Sequence, residues 1–105
     1  MERRRVVVTG MGCVTPIGLD VSQSWESAKA GVCGIAPITA YDTADMKVKL
    51  AAEVKGFQPE QYIEKREVRK LDRFSQLALA AASQAMEQSG LGAEQVAPYR
   101  CGVSV

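Results

Sequence analysis

Val6-Val7-Val8-Thr9-Gly10-Met11-Gly12-Cys13-Val14-Thr15-Pro16-Ile17-Gly18 is the stretch on which the fold turns. It opens with a β-branched run that has no polar alternation. Such a run predicts a strand buried on both faces, as in a sheet covered by helices. Gly10, Gly12, Pro16 and Gly18 then punctuate a loop, since Gly and Pro interrupt regular backbone. The G-x-G within it invites a nucleotide-binding reading. A dinucleotide loop needs G-x-G-x-x-G running straight into a helix, so that free N–H groups meet phosphate. Here Thr15 stands at the third glycine position, and Pro16 disfavours helical geometry just before it. No lysine completes a P-loop. The pattern favours a tight strand-exit loop packed on the core over a phosphate cradle.

Beyond the loop, Asp20 can cap a helix, with Gln23 three residues on as its capping-box partner. That helix would turn Val21, Trp25 and Ala28 inward and stop near Gly31. Residues 31–45 are irregular, with a short strand expected at 35–38. Residues 48–54 predict a weaker strand at a sheet edge or in a hairpin. Pro59 suits the first turn of a short helix containing Tyr62 and Ile63. The strongest periodic signal runs over residues 66–89 and closes at Gly90, because Gly is a favoured C-cap. Residues 92–99 form a connection with one helical turn. Cys101-Gly102-Val103-Ser104-Val105 then begins a second strand. Strand, helix, irregular arm, long helix, strand is an α/β order. A natural domain rarely ends where a buried strand begins, so the parent protein is expected to continue past Val105.

The long helix has two unlike halves. At about 100° per residue, Arg66, Arg69, Lys70 and Arg73 form one basic stripe. Val68, Leu71, Ser75, Ala78, Leu79 and Ala82 lie roughly opposite. The stripe works against the helix. Arg66–Lys70 and Arg69–Arg73 are like-charge i,i+4 pairs, each destabilising by about 0.2–0.5 kcal/mol. The cations also crowd the positive end of the helix dipole. Asp72 is expected to offset part of this through Arg69. Charge pattern alone leaves two readings open, a solvated face or a dock for an acidic partner. The second half, Leu77-Ala78-Leu79-Ala80-Ala81-Ala82, is apolar all round, which predicts burial. Its alanines admit close neighbours, as in a helix between two layers. A chain of 105 residues can hardly cover such a helix by itself.

The bulk composition narrows the function classes. With 47% hydrophobic residues, 24% charged residues and net charge +1, the chain is an ordinary globular one. Near-neutrality gives no global pull toward nucleic acid or membrane, so any electrostatic partner must meet a local patch. Cys13, Cys33 and Cys101 show no CxxC spacing, and there is no histidine. This argues against a disulfide framework or a zinc site and fits reduced thiols in a cytoplasmic protein. Three valines after the basic start are far short of a signal peptide's apolar core. No stretch approaches the roughly 20 apolar residues of a membrane span.

Taken in order, the segments carry a further signal. Arg4-Arg5-Val6-Val7-Val8-Thr9-Gly10-Met11-Gly12 with Thr15-Pro16-Ile17-Gly18 closely resembles the opening of β-ketoacyl-acyl-carrier-protein synthases. The resemblance runs on through Trp25, Gly31, Gly34-Ile35 and Phe57 to Arg69-Lys70-Leu71-Asp72-Arg73-Phe74, Ser89-Gly90-Leu91 and Arg100-Cys101-Gly102-Val103. The elongating bacterial type, synthase II, is the most similar. The resemblance implies a thiolase-like five-layer αβαβα fold, usually in a homodimer. Residues 1–105 would be the N-terminal segment of the ketosynthase N-terminal domain, ending before the nucleophile.

The implied activity is that of an acyltransferase in fatty-acid biosynthesis, a decarboxylative Claisen condensation. A cysteine thiolate takes the acyl chain from one carrier protein; two histidines then help decarboxylate malonyl-carrier protein and stabilise the oxyanion. No metal, nucleotide or other cofactor is implied. The reacting cysteine and both histidines are expected downstream of Val105. Cys13, Cys33 and Cys101 lack the T-A-C-type context and are expected to be structural. One family function falls on residues present here. A basic K/R-x-x-R-K cluster before the long helix helps dock the acidic, phosphopantetheine-bearing acyl carrier protein. Arg66, Arg69 and Lys70 occupy that pattern, with Lys65 and Arg73 as auxiliaries. A polyketide ketosynthase or a non-catalytic chain-length-factor-like subunit would share the fold and stays open as an alternative.

Overall fold

The computed structural model describes Met1–Val105. Its elements are α1 (Val21–Lys29), β1 (Ala36–Pro37), β2 (Leu50–Ala51), a 3-10 turn at Pro59–Gln61, α2 (Lys65–Val68), α3 (Arg73–Ser89) and a 3-10 turn at Pro98–Arg100. α1 starts where Asp20 Oδ1 accepts from Gln23 N at 2.7 Å. Gln23 Oε1 reaches back to Leu19 N at 3.1 Å, one residue before the expected capping-box partner. Of the expected inward residues Val21, Trp25 and Ala28, only Val21 is half-buried. Trp25 is 62% exposed, and Ala28 is exposed too. The side packed on the glycine loop is made of serines. Ser27 Oγ donates to Ile17 O at 2.8 Å, and Ser24 Oγ lies 2.8 Å from Thr15 Oγ1. A loop carries backbone carbonyls that need donors, and serine hydroxyls supply them where an indole ring or a methyl would not.

The irregular arm folds as a hairpin, one of the two expected arrangements, with strands of two residues each, shorter than expected. Ala36 pairs with Ala51 and Pro37 with Leu50, antiparallel. Two strands leave Pro37 at an edge, where its missing N–H is harmless. Beyond the strands, Glu53 latches the arm shut. Its Oε1 accepts from Thr39 N at 2.8 Å and Thr39 Oγ1 at 3.2 Å, and its Oε2 from Ala40 N at 3.2 Å. The Thr39 N–H is the main reason the Glu53 carboxyl is held below its usual pKa; the Thr39 hydroxyl, Ala40 N–H and Lys55 add to it.

α3 is the element on which the rest is assembled. It ends at Gly90, whose φ of 67° is the left-handed conformation of a glycine C-cap. The glycine loop lies directly on its flank. A methyl group added at Gly12 would collide with the Ala81 carbonyl, and one at Gly10 with the Ala85 carbonyl. Glycine at both positions lets backbone approach backbone. Amides from α3 then fasten the loop. Gln88 Oε1 accepts from Met11 N at 2.6 Å, and Gln84 Oε1 from Cys13 N at 3.1 Å. Gln84 Nε2 also donates to Leu19 O at 2.7 Å and Tyr62 Oη at 3.1 Å. Thr15 to Gly18 closes as a tight turn, with Thr15 N on Gly18 O at 2.8 Å and Pro16 at the second position, which its fixed φ suits. The glycines therefore serve helix packing: the loop is packed on α3, as expected, although no strand leads into it.

Three expectations fail here for a common reason. Val6-Val7-Val8 makes no backbone hydrogen bond and is exposed. Residues 101–105 form no strand and are likewise exposed. The apolar half of α3 is covered on one side only, with Ala80 fully buried while Leu79 and Ala82 are exposed. A buried strand requires a neighbour to bond with, and a helix apolar all round requires a layer on each side. These 105 residues place neither there. Their accessible surface is 9035 Å²; a compact protein of this mass has about 5,700 Å². The radius of gyration is 17.5 Å, against about 13 Å for a compact domain of this length.

Two outcomes are expected. The 105-residue chain on its own should melt without a sharp cooperative transition by circular dichroism; a sharp melt of a soluble monomer would contradict this. Because the pKa of Glu53 is depressed in the folded state, its contribution is present above the usual carboxylate pKa and is lost as pH falls through the folded value. Amide exchange at Thr39 and Ala40, measured in the full-length protein, should therefore quicken relative to other arm amides on acidification. In Glu53→Gln that pH step should vanish.

Candidate partner-docking surface

The segment expected as one helix over residues 66–89 is broken. α2 ends at Val68, Arg69 caps it, and Asp72 is extended at φ −67° and ψ 157° before α3 begins at Arg73. Three forces favour the break. A continuous helix would stack Arg66 on Lys70 and Arg69 on Arg73, and like charges at i,i+4 repel. Aspartate prefers the extended backbone of an N-cap, although the Asp72 side chain makes no capping bond here. The third force is Gln76. Its Nε2 donates to Val68 O at 3.0 Å and to Leu71 O at 3.1 Å. In a continuous helix those carbonyls would take the N–H groups of Asp72 and Ser75. The expected Asp72–Arg69 contact does not form. The ion pairs of the segment are Glu64–Arg66 at 3.5 Å and Glu67–Lys70 at 3.3 Å.

All five sequence-predicted docking residues are exposed. Lys65 and Arg66 lie on α2, Arg69 and Lys70 in the turn, and Arg73 at the start of α3. The break therefore gathers them around a helix–turn–helix junction rather than along one stripe. Lys65 and Arg69 make no ion pair. The Arg73 guanidinium sits 5.0 Å from the Phe57 ring centroid, and Phe57 stacks on Tyr62 at 6.3 Å. Arg73 is thus tied to an aromatic pair, a contact worth about 0.5–1 kcal/mol at an exposed site. The chemistry available at the junction is recognition by charge. Elsewhere, Cys13 Sγ is 3.5 Å from Ser24 Oγ, and Cys33 and Cys101 are exposed. With no histidine in the chain, none of the three thiols has an imidazole base beside it.

The family model described as β-ketoacyl synthase, N-terminal domain, matches residues 3–105. The chain belongs to the β-ketoacyl synthase family. This β-ketoacyl synthase segment is 45% identical over 105 residues to the 3-oxoacyl-[acyl-carrier-protein] synthase 2 of Vibrio cholerae, covering 100% of this chain and 25% of that protein. It is 45% identical over 102 residues to the protein of the same name from Staphylococcus aureus, covering 97% and 25%. Among solved structures it superposes on the ishigamide ketosynthase/chain length factor with a TM-score of 0.81 at 36% identity, over 90% of this chain and 24% of that one. A type II polyketide acyl-carrier protein in complex with its ketosynthase (AntDE:AntF) matches with a TM-score of 0.68 at 28% identity, over 93% and 24%. The chain spans about a quarter of the length of the curated relatives it matches. The expected thiolase-like α/β fold class is borne out by these ketosynthase neighbours.

Sequence reasoning missed the glutamines. Gln76, Ala80, Gln84 and Gln88 recur at four-residue intervals and so share one side of α3. Three glutamines at this spacing, flanking the apolar middle of the helix, were the available signal. Phe57 carries part of the family resemblance, and its contact with Arg73 is visible only in the fold. Because the two ion pairs are exposed, Arg66→Ala and Lys70→Ala should each change the stability of the full-length protein by less than about 0.5 kcal/mol in urea unfolding.

Proposed function

We propose that the whole protein is a 3-oxoacyl-[acyl-carrier-protein] synthase of fatty-acid elongation, and that this segment supplies scaffold and part of the carrier-protein dock. The observation that supports it most is the exposed cation cluster Arg66, Arg69 and Lys70 at an ordered junction, in a chain 45% identical to synthases of that name. Lys65 and Arg73 flank the cluster. In this reading, carboxylates of the acidic carrier protein pair with the cations, speeding encounter and fixing the angle at which the phosphopantetheine arm arrives. Such exposed pairs weaken with salt. The cysteine that accepts the acyl group and the two histidines of the condensation lie outside residues 1–105. The reading further includes a homodimer and a cytoplasmic location; no helix of the chain is long and apolar enough to cross a membrane.

A polyketide ketosynthase or chain-length-factor-like subunit is the second reading. The TM-score of 0.81 to the ishigamide ketosynthase/chain length factor favours it. A residue other than cysteine at the nucleophile position would select the non-catalytic form. The docking role is tested in the full-length protein by reversing charge at Arg66, Arg69 and Lys70 together. The apparent KM for acyl-carrier protein should rise roughly tenfold or more, with much smaller change on small acyl thioesters. Equal losses on both substrates would remove the docking role.

A further inference from the structure

We infer that Gln76 is a positioning residue for the carrier-protein dock: its buried amide holds the break between α2 and α3 that presents Arg69 and Lys70. The inference rests on the docking reading above. Gln76 is 8% exposed, the one buried polar side chain of the chain. A buried amide is costly unless its hydrogen bonds are made. Here both protons of Nε2 are used, on Val68 O at 3.0 Å and Leu71 O at 3.1 Å. Those two carbonyls bracket Arg69 and Lys70 in the sequence.

Val68 and Leu71 are half-buried, but few other hydrogen bonds fix the turn. Lys70 N donates to Glu67 O at 3.0 Å, and Leu71 N to Val68 O at a long 3.4 Å. Asp72 provides no side-chain cap. Arg69 has no ion pair, and Lys70 pairs only with Glu67 on the exposed surface. The two cations therefore take their direction from the backbone beneath them, and Gln76 is the side chain that ties that backbone to α3. Without the two donors, Val68 O keeps only the long contact from Leu71 N and Leu71 O loses its side-chain partner, and a continued helix would offer them the N–H groups of Asp72 and Ser75. That change would extend the helix and rotate both cations onto its surface stripe.

The test uses the full-length protein with Gln76→Met, similar in length but without a donor, Gln76→Glu, and the pair Arg69→Glu/Lys70→Glu. Measured quantities are KM for acyl-carrier protein, kcat/KM for a small acyl thioester, and Tm. For Gln76→Met, the loss on the carrier-protein substrate should exceed the loss on the small thioester by roughly threefold to tenfold. Gln76→Glu should behave alike at neutral pH, where its carboxylate offers no donor. Its defect, relative to the parent at each pH, should shrink as acid restores one O–H donor; a mere packing role predicts no such trend. If the charge-reversed pair loses carrier-protein affinity while Gln76→Met does not, the positioning role is wrong and the dock stands. If neither loses it, the dock falls and this inference with it. Equal losses on both substrates would reduce Gln76 to a folding residue. Should Gln76→Met fail to fold, the pH series of Gln76→Glu decides.

Discussion

Backbone pressed on backbone, Gly12 against Ala81 and Gly10 against Ala85, is the contact from which the other elements hang. It is possible only because Gly10 and Gly12 carry no side chain. Once the loop is that close, the amides of Gln84 and Gln88 reach the N–H groups of Cys13 and Met11. The loop in turn seats α1 through Ser24 and Ser27. Gln84 carries the connection onward to Tyr62, and Tyr62 to Phe57 and Arg73. One tight seam thus organises segments up to 77 residues apart in sequence.

Local chemistry made much of this legible beforehand. The Asp20 cap and the glycine cap at Gly90 depend on neighbours within a few residues, and both formed. What stayed illegible was what depends on distant partners. Val6-Val7-Val8 has the composition of a buried strand, but a strand exists only beside another. The hydrophobic period of residues 66–89 registers which side chains are apolar; it is blind to a glutamine amide that prefers two backbone carbonyls to the helix ladder. Trp25 was expected inward on hydrophobicity, yet the surface beneath α1 is a carbonyl-rich loop that selects serine.

The same split applies to function. The basic residues could be placed from the sequence, and all of them are exposed. Their arrangement could not be, because it follows from the break at residues 69–72 rather than from helical spacing. The open apolar flank of α3, where Phe74, Ala78 and Leu79 meet Val103 and Val105 around a groove of about 630 Å³, is likewise a tertiary fact. It shows that α3 serves two surfaces of opposite character, one closed by backbone contact and amides, the other bare and apolar.

The glutamine row has a mechanical meaning as well. About 18 Å of axial rise separates Gln76 from Gln88, and the helix is clamped to backbone near both ends and in the middle. A beam held in this way resists sliding and rolling, since either motion breaks hydrogen bonds at every clamp at once. The same helix face thus holds the backbone beside Arg69 and Lys70 at one end and the glycine loop at the other.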